Sequence, residues 1–256
     1  TQGKDYLNPN IELMVDDILE QNPRQKLIIF LENWIKNKIN SILKSLIDLK
    51  NLKEKNSSIK ALAYQLYENN GVIKRDQVSE YLKDLGQNER KILRNLGVKF
   101  GRYHVFLYRL IKPEAVSLRT LLWKNYHQKY FNLKPPTFGL NFIDNDNLKN
   151  KNFMLLCGFE KFENLYIRID ILERLFMLII SNSEKEKEIK IIPEMLNLLG
   201  CSNDKFKKVL KNMNYKIFEK NNETFFKYAP KKKLKKFDKK IVKESPFGIL
   251  KNLDLN

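Results

Sequence analysis

The sequence predicts a mainly α-helical fold with small β-hairpins, laid out as a long N-terminal helix followed by two related helix-and-hairpin modules. Three observations carry that prediction. Residues 24–50 place apolar side chains at spacings of three and four, the stripe of an amphipathic helix. After Gly97 the period changes to two, through Val98, Phe100, Tyr103, Val105 and Leu107, as in a strand, a turn and a second strand. Residues 188–228 then repeat the order, and part of the spelling, of the region that ends in that hairpin.

The first helix gathers Leu27, Leu31, Trp34, Ile35, Ile39, Ile42, Leu43, Leu46 and Leu49 on one face, and it would run about 40 Å. Pro23 suits its opening turn. A face that wide asks for a protein core rather than a membrane surface. "KNLKEKNSS" breaks the pattern, and Ser58 is the expected N-cap of "IKALAYQLYENNG", which stops at Asn70-Gly71. "RDQVSEYLKDLG" and "QNERKILRNLG" read as two shorter helices ending at Gly86 and Gly97, and Pro113 opens the next helix. Residues 135–152, with Pro135-Pro136 and a cluster of Asn and Asp, read as a linker. "LYIRIDILERLFMLIIS" reads as a strand running into a helix, and "NSEKEKE" as a charged loop. The domains expected are a helical segment at 1–56, a first module with its following helix at 57–134, the linker at 135–152, a second module at 153–230 and a basic tail at 231–256.

The two modules are matched by sequence. "VIKRDQVSEYLKDLG" (72–86) parallels "KIIPEMLNLLG" (190–200), and "LRNLGVKF" (93–100) parallels "LKNMNYKI" (210–217). Leu93, Asn95 and Lys99 meet Leu210, Asn212 and Lys216. A hairpin follows each, turning at Gly101-Arg102 and at Asn221-Asn222. Helix, short helix, helix and two-stranded wing is the winged-helix order, a three-helix relative of the helix-turn-helix, and internal self-similarity supports it.

Composition bounds the function. The chain has 256 residues, 43% of them hydrophobic, enough for one or two domains with a real core. Lys and Arg number 48 against 30 Asp and Glu, a formal net charge of +18. An excess of that size draws polyanions and says nothing about fold. Nucleic acid is the leading partner and an anionic membrane surface the weaker one, while the many Asn, Ile and Lys residues also fit a purely compositional bias. Cys157 and Cys201, far apart, make neither a disulfide framework nor a zinc pattern, so a reducing, cytoplasmic setting is expected. No signal peptide and no window of ~18 uncharged apolar residues is read, so no membrane partner is expected. The chain starts at Thr1 rather than Met, which reads as a piece of something longer.

Catalytic motifs are absent from the sequence: no G-x-x-x-x-G-K-[ST], G-x-G-x-x-G or H-E-x-x-H run occurs. Glu173, Glu188 and Glu194 read as scattered surface charges. His104 and His127 have no partner at useful spacing and read as surface or half-buried residues. No catalytic residue, metal ligand or cofactor is therefore assigned within this chain. The basic positions say more. Lys99, Arg102 and Tyr103 at the first hairpin are offered to a phosphate backbone, with the tyrosine as a stacking ring. Lys91 and Arg94 precede that hairpin, and Lys205, Lys208 and Lys211 precede the second; singly each is an ordinary exposed charge. "KYAPKKKLKKFDKKIVK" (227–243) holds nine lysines against one aspartate, a net of +8. Its Lys231, Lys232, Lys233, Lys235 and Lys236 either solubilise the tail or make salt-sensitive, sequence-independent phosphate contacts.

One resemblance sharpens this. "LGVKFGRYHVFLYRLIKPEAVSLRTLLW" (96–123), continued by "PPTFGL", "CGFEKFENLYIRIDILERL", "PEMLNLLGCSNDKFKKVLKNMNYK" and "SPFGIL", resembles the C-terminal region of a bacterial group of superfamily-two DEAD/DEAH-type helicases. These are related to the RNA helicase of the mitochondrial degradosome and carry a similar "LGVxFG" hairpin followed by "KPxxxxLRxLLW". The resemblance spans most of residues 24–250. It implies an ATP-dependent helicase with two RecA-like motor domains upstream, which would bind ATP and Mg outside this chain. It also implies an accessory helical and winged region that guides single-stranded or structured RNA or DNA, acts with the helicase core in cis, and recruits a partner such as a nuclease. Two other readings stand beside it: a stand-alone winged-helix DNA-binding protein, and a protein-interaction scaffold without nucleic acid.

Overall fold

A computed structural model describes residues 1–14, 21–53, 56–144, 150–183 and 188–229. About 55% of the described residues are helical, beside three small antiparallel sheets of three strands each, so the fold is mainly α with small hairpins. The expected basic tail, with Lys231, Lys232, Lys233, Lys235 and Lys236, lies outside the described residues, as does "SPFGIL".

The N-terminal helix is two helices. α1 (Gln21–Ile42) and α2 (Lys44–Lys50) are separated at Leu43, whose φ of −100° and ψ of 20° leave helical geometry. The apolar spacing continues through that break, because Ile39, Leu43, Leu46 and Leu49 all pack into the core. The first half of α1 departs further from expectation. Leu27, Phe30 and Trp34 are 38%, 64% and 55% exposed, so only the C-terminal end of α1 is anchored.

Beyond α2 one backbone pattern occurs three times, where the sequence reading gave two. The first unit runs α3 (Ser57–Glu68), β1 (Val72–Lys74), α4 (Ser79–Asp84), α5 (Gln87–Asn95), β2 (Val98–Phe100) and β3 (His104–Leu107). The second runs α6 (Pro113–Tyr126), β4 (Phe142–Asp144), α7 (Lys151–Leu156), β5 (Phe159–Phe162) and β6 (Leu165–Arg168). The third runs α8 (Ile169–Ser181), β7 (Glu188–Lys190), α9 (Pro193–Leu199), α10 (Asn203–Asn212), β8 (Tyr215–Lys220) and β9 (Glu223–Tyr228). In every sheet the last strand of the unit lies in the centre, giving the orders β1-β3-β2, β4-β6-β5 and β7-β9-β8. β4 lies within the stretch read as a linker and pairs with β6, Phe142 opposite Ile167.

The three units superpose residue by residue at the helix-to-hairpin junction. Leu93, Met154 and Leu210 are buried at the helix ends. Gly97, Gly158 and Asn214 then adopt left-handed φ of 92°, 86° and 64°, which turns the chain out of the helix and into the strand. Their N–H groups donate to the carbonyls of Arg94, Leu155 and Lys211 at 2.9, 2.9 and 3.1 Å. Buried Val98, Phe159 and Tyr215 follow as the first residue of each hairpin. One local difference from expectation is the cap of α3: the Asn56 side chain, rather than that of Ser58, is the N-cap, and it accepts the Ser58 N–H.

The cores explain how the units join. Val105 and Leu107 face inward among Ile59, Leu62, Leu66 and Leu93, with Leu43, Leu46 and Leu49 of the N-terminal helices. Their strand neighbours His104 and Phe106 point the other way, yet are 1% and 3% exposed. Phe106 packs with Val72 and with Ile169 of the third unit, against Ile111 just before α6 and Leu155 of the second unit. The first sheet is thus covered on both faces, by its own helices and by the next two units. Each fully buried aliphatic side chain contributes ~1.5–3 kcal/mol of transfer free energy, so this shared face is a substantial tie.

Candidate functional site

The repeat places cations at matching positions. Lys91 matches Lys208, Arg94 matches Lys211, and Lys99 matches Lys216, two on the last helix and one on the first hairpin strand of the outer units. All six are exposed, and none forms an ion pair among the described residues. The same positions of the middle unit hold Asn152, Leu155 and Glu160. Leu155 packs against the first sheet and Glu160 is buried. The outer units therefore present free positive faces, whereas the middle unit carries an uncharged Asn152 at the surface and has turned the other two positions inward.

The other expected site residues divide. Lys205 pairs with Asp144 at 2.7 Å, which partly cancels its charge. Arg102 is exposed, with its guanidinium 5.7 Å from the Phe176 ring centre. Arg94 lies over Phe100 at 5.7 Å and keeps its outer face open. Tyr103 is half-buried: its ring meets Phe176 edge-on at 5.8 Å and its hydroxyl bonds with Tyr215. It fastens the first unit to the third. Lys216 was not singled out, although the repeat alignment already matched it to Lys99.

A buried polar junction lies where the three units meet, and sequence reasoning missed it. His104 Nε2 is 2.8 Å from Glu160 Oε2, and Lys74 donates to Glu160 Oε1 at 2.6 Å. Glu173, from α8, accepts the backbone N–H groups of Arg102, Tyr103 and His104 at 2.5, 2.9 and 3.0 Å. Gly101 permits that approach, since a Cβ there would stand 2.2 Å from the Glu173 carboxyl carbon. Any side chain at 101 would push the carboxylate off three donors. Arg75 closes the turn from outside by donating to the Gly101 carbonyl at 2.7 Å. His104 and Glu173 are thus neither surface nor scattered. The partners of His104 are 56 and 69 residues distant, beyond any local spacing rule. The sign reversal from Lys99 and Lys216 to Glu160 in the repeat is the signal that could have found them.

The charges reinforce each other. Burial alone would lower the His104 pKa, but the hydrogen bond to Glu160 and the nearby Glu173 carboxylate, 3.8 Å from Nδ1, outweigh it and hold the imidazole above its ordinary value. Burial alone would raise Glu160, but His104 and Lys74 together bring it below the usual carboxylate value. Both shifts favour the charged pair.

Beside the junction opens a groove of about 690 Å³. Lys74, Arg75 and Arg102 of the first unit line it, together with Phe176, Ile180 and Tyr228 of the third. Among the described residues no group of three or more His, Cys, Asp or Glu is placed to hold a metal ion, and no helix is long and apolar enough to cross a membrane. Compared with known proteins, the chain matches no family model, no curated protein and no solved structure.

Proposed function

We propose that this chain is the C-terminal accessory region of an ATP-dependent RNA helicase, built from tandem winged-helix-like units that guide the nucleic-acid strand. The observation that carries the nucleic-acid part is the matched set of exposed cations on the outer units, Lys91, Arg94 and Lys99 with Lys208, Lys211 and Lys216. Compositional bias would scatter lysines evenly over the repeat. Here the middle unit lacks all three at the same positions, and at two of them, Leu155 and Glu160, contact with its neighbours replaces contact with solvent. The order of helices and strands in each outer unit, with the third strand central, suits a winged-helix reading. The helicase part rests on the resemblance of residues 96–123 and the runs that follow. ATP and Mg would bind to motor domains outside this chain, and phosphate contacts here would position a strand without reading its sequence.

The test is binding of the chain to single-stranded RNA by fluorescence anisotropy between about 50 and 200 mM salt. Affinity should fall steeply with salt. Replacing Lys91, Arg94 and Lys99 together with Ala should flatten the log–log slope by about 2, since each single-strand phosphate contact contributes roughly 0.7. The matching triple replacement of Lys208, Lys211 and Lys216 should do the same. Salt-independent or undetectable binding would overturn the proposal in favour of a protein-interaction scaffold. Preference for one duplex DNA sequence would favour a stand-alone DNA-binding protein.

A further inference from the structure

We propose that the groove between the three units is a seat for one unpaired nucleotide of a single strand, with the base stacked on Tyr228 and its phosphate held by Arg102 and Arg75. This rests on the nucleic-acid reading above and adds a specific place and chemistry to it.

Four observations lead there. The groove holds about 690 Å³, within the ~300–1,000 Å³ range of small-ligand sites. Its lining differs in the way a nucleotide differs along its length. The first unit supplies cations, Arg102 with an exposed side chain and Arg75 beside it. The third unit supplies an aromatic face, since Tyr228 is 48% exposed and meets Tyr215 edge-on, with ring centres 5.4 Å apart. That geometry fixes the Tyr228 ring and leaves a face for a partner, and stacking on such a ring accepts any base. Third, the groove is lined by a buried polar atom without a hydrogen bond: His104 Nδ1 stands 3.8 Å from Glu173 Oε1, in ion-pair range but beyond hydrogen-bond length, and the residue is 1% exposed. Buried polar atoms are seldom left without a hydrogen bond, so a water or a ligand hydroxyl that bridges the two groups is favoured here.

The fourth observation is continuity. The groove-lining stretch Arg102–His104 follows Lys99 on the first hairpin, and the lining stretch Asn212–Tyr215 runs between Lys211 and Lys216. The groove lining therefore adjoins both cationic sets along the chain, and a strand contacting both outer units would reach it through these stretches. Asn212 and Asn214 at its third-unit end offer amide donors and acceptors to a base edge.

The experiment compares the full 256-residue chain binding two RNA hairpins, one blunt and one with a single-stranded 3′ tail. Tyr228→Ala should remove the extra affinity of the tailed hairpin, a loss of about tenfold for one lost stacking contact, and leave blunt-hairpin binding unchanged. Tyr228→Phe should keep it. A tail carrying 4-thiouridine should crosslink under ultraviolet light to the peptide containing Tyr228 or Phe176. Equal binding of both hairpins by Tyr228→Ala and the unaltered chain, or crosslinks confined to α5 and α10, overturns the seat while the cationic-face reading stands. Failure of the unaltered chain to bind either hairpin overturns both.

Discussion

Replacing Arg119 is expected to cost more stability than any other single change in the chain. Arg119 sits on α6 with 0% exposure, and its guanidinium ties three carbonyls at three places in the fold. One amino group donates to Asn70, just past α3, at 2.6 Å. The other donates to Leu110, between β3 and α6, at 2.5 Å, and to Leu156, the last residue of α7, at 3.0 Å. Helix C-termini leave carbonyls that need a donor and favour a positive charge, and here one cation serves two of them from separate units. Burial lowers the Arg119 pKa to about 10, against a small opposing effect of Tyr6, so the side chain stays charged at neutral pH. Arg119→Lys provides one point charge on a shorter reach and leaves at least two carbonyls unpaired. At ~1–3 kcal/mol for each buried orphan, the expected loss is ~2–6 kcal/mol, read by urea unfolding. Arg119→Met should be worse, since all three carbonyls are then orphaned. A midpoint within error of the unaltered chain for Arg119→Met would show that water replaces the guanidinium without cost.

Arg119 also illustrates what the sequence made legible. The run "LRTLLW" stood out only through resemblance; nothing in its spacing distinguishes a buried arginine from a solvated one. Local signals worked where the physics is local. Asn70-Gly71 ended α3, Gly97 ended α5, and Pro113 opened α6, because left-handed φ and proline geometry act within a few residues. The repeat of 93–100 in 210–217 was legible because both units need the same buried Leu and the same turn. The middle unit was hidden for three reasons. Its first strand is three residues long within an Asn- and Pro-rich stretch. No second helix stands between β4 and α7 among the described residues. Its outward cations have been exchanged for Asn152, Leu155 and Glu160. The break at Leu43 was illegible for the opposite reason: the apolar period runs on through it, and packing alone decides where the helix bends. Period two through Val98–Leu107 matched the hairpin, but it did not show that the other face of β3 is covered by neighbours far along the chain.

Those distant neighbours make a second large effect. Glu160→Ala should destabilise the fold by ~3–5 kcal/mol, the cost of removing one member of a buried ion pair, because His104 would be left charged or forced neutral in a site where its side chain is 2% exposed. The pH profile should reveal the pair. His104 has a raised pKa in the fold, so its contribution is fully present below the ordinary imidazole value of 6.5 and is lost as pH rises through the folded value. Glu160 has a lowered pKa, so its contribution is fully present above the ordinary carboxyl value of 4.5 and is lost as pH falls through the folded value. Both are complete only between those two ordinary values, and the fold should melt highest there. Lys74 and Glu173, the other charged groups at the junction, sharpen the test: Lys74 keeps Glu160 paired when His104 is neutral, so the alkaline loss should be smaller than that of Glu160→Ala. In thermal melts from about pH 3 to pH 9, His104→Gln should abolish the decline above neutrality and retain the acid one. A profile for His104→Gln parallel to that of the unaltered chain would remove the histidine from the junction's energetics. Because His104 and Glu160 also line the groove beside Tyr228, the same alkaline loosening should weaken tailed-hairpin binding more than blunt-hairpin binding, which depends on the cationic faces of the outer units.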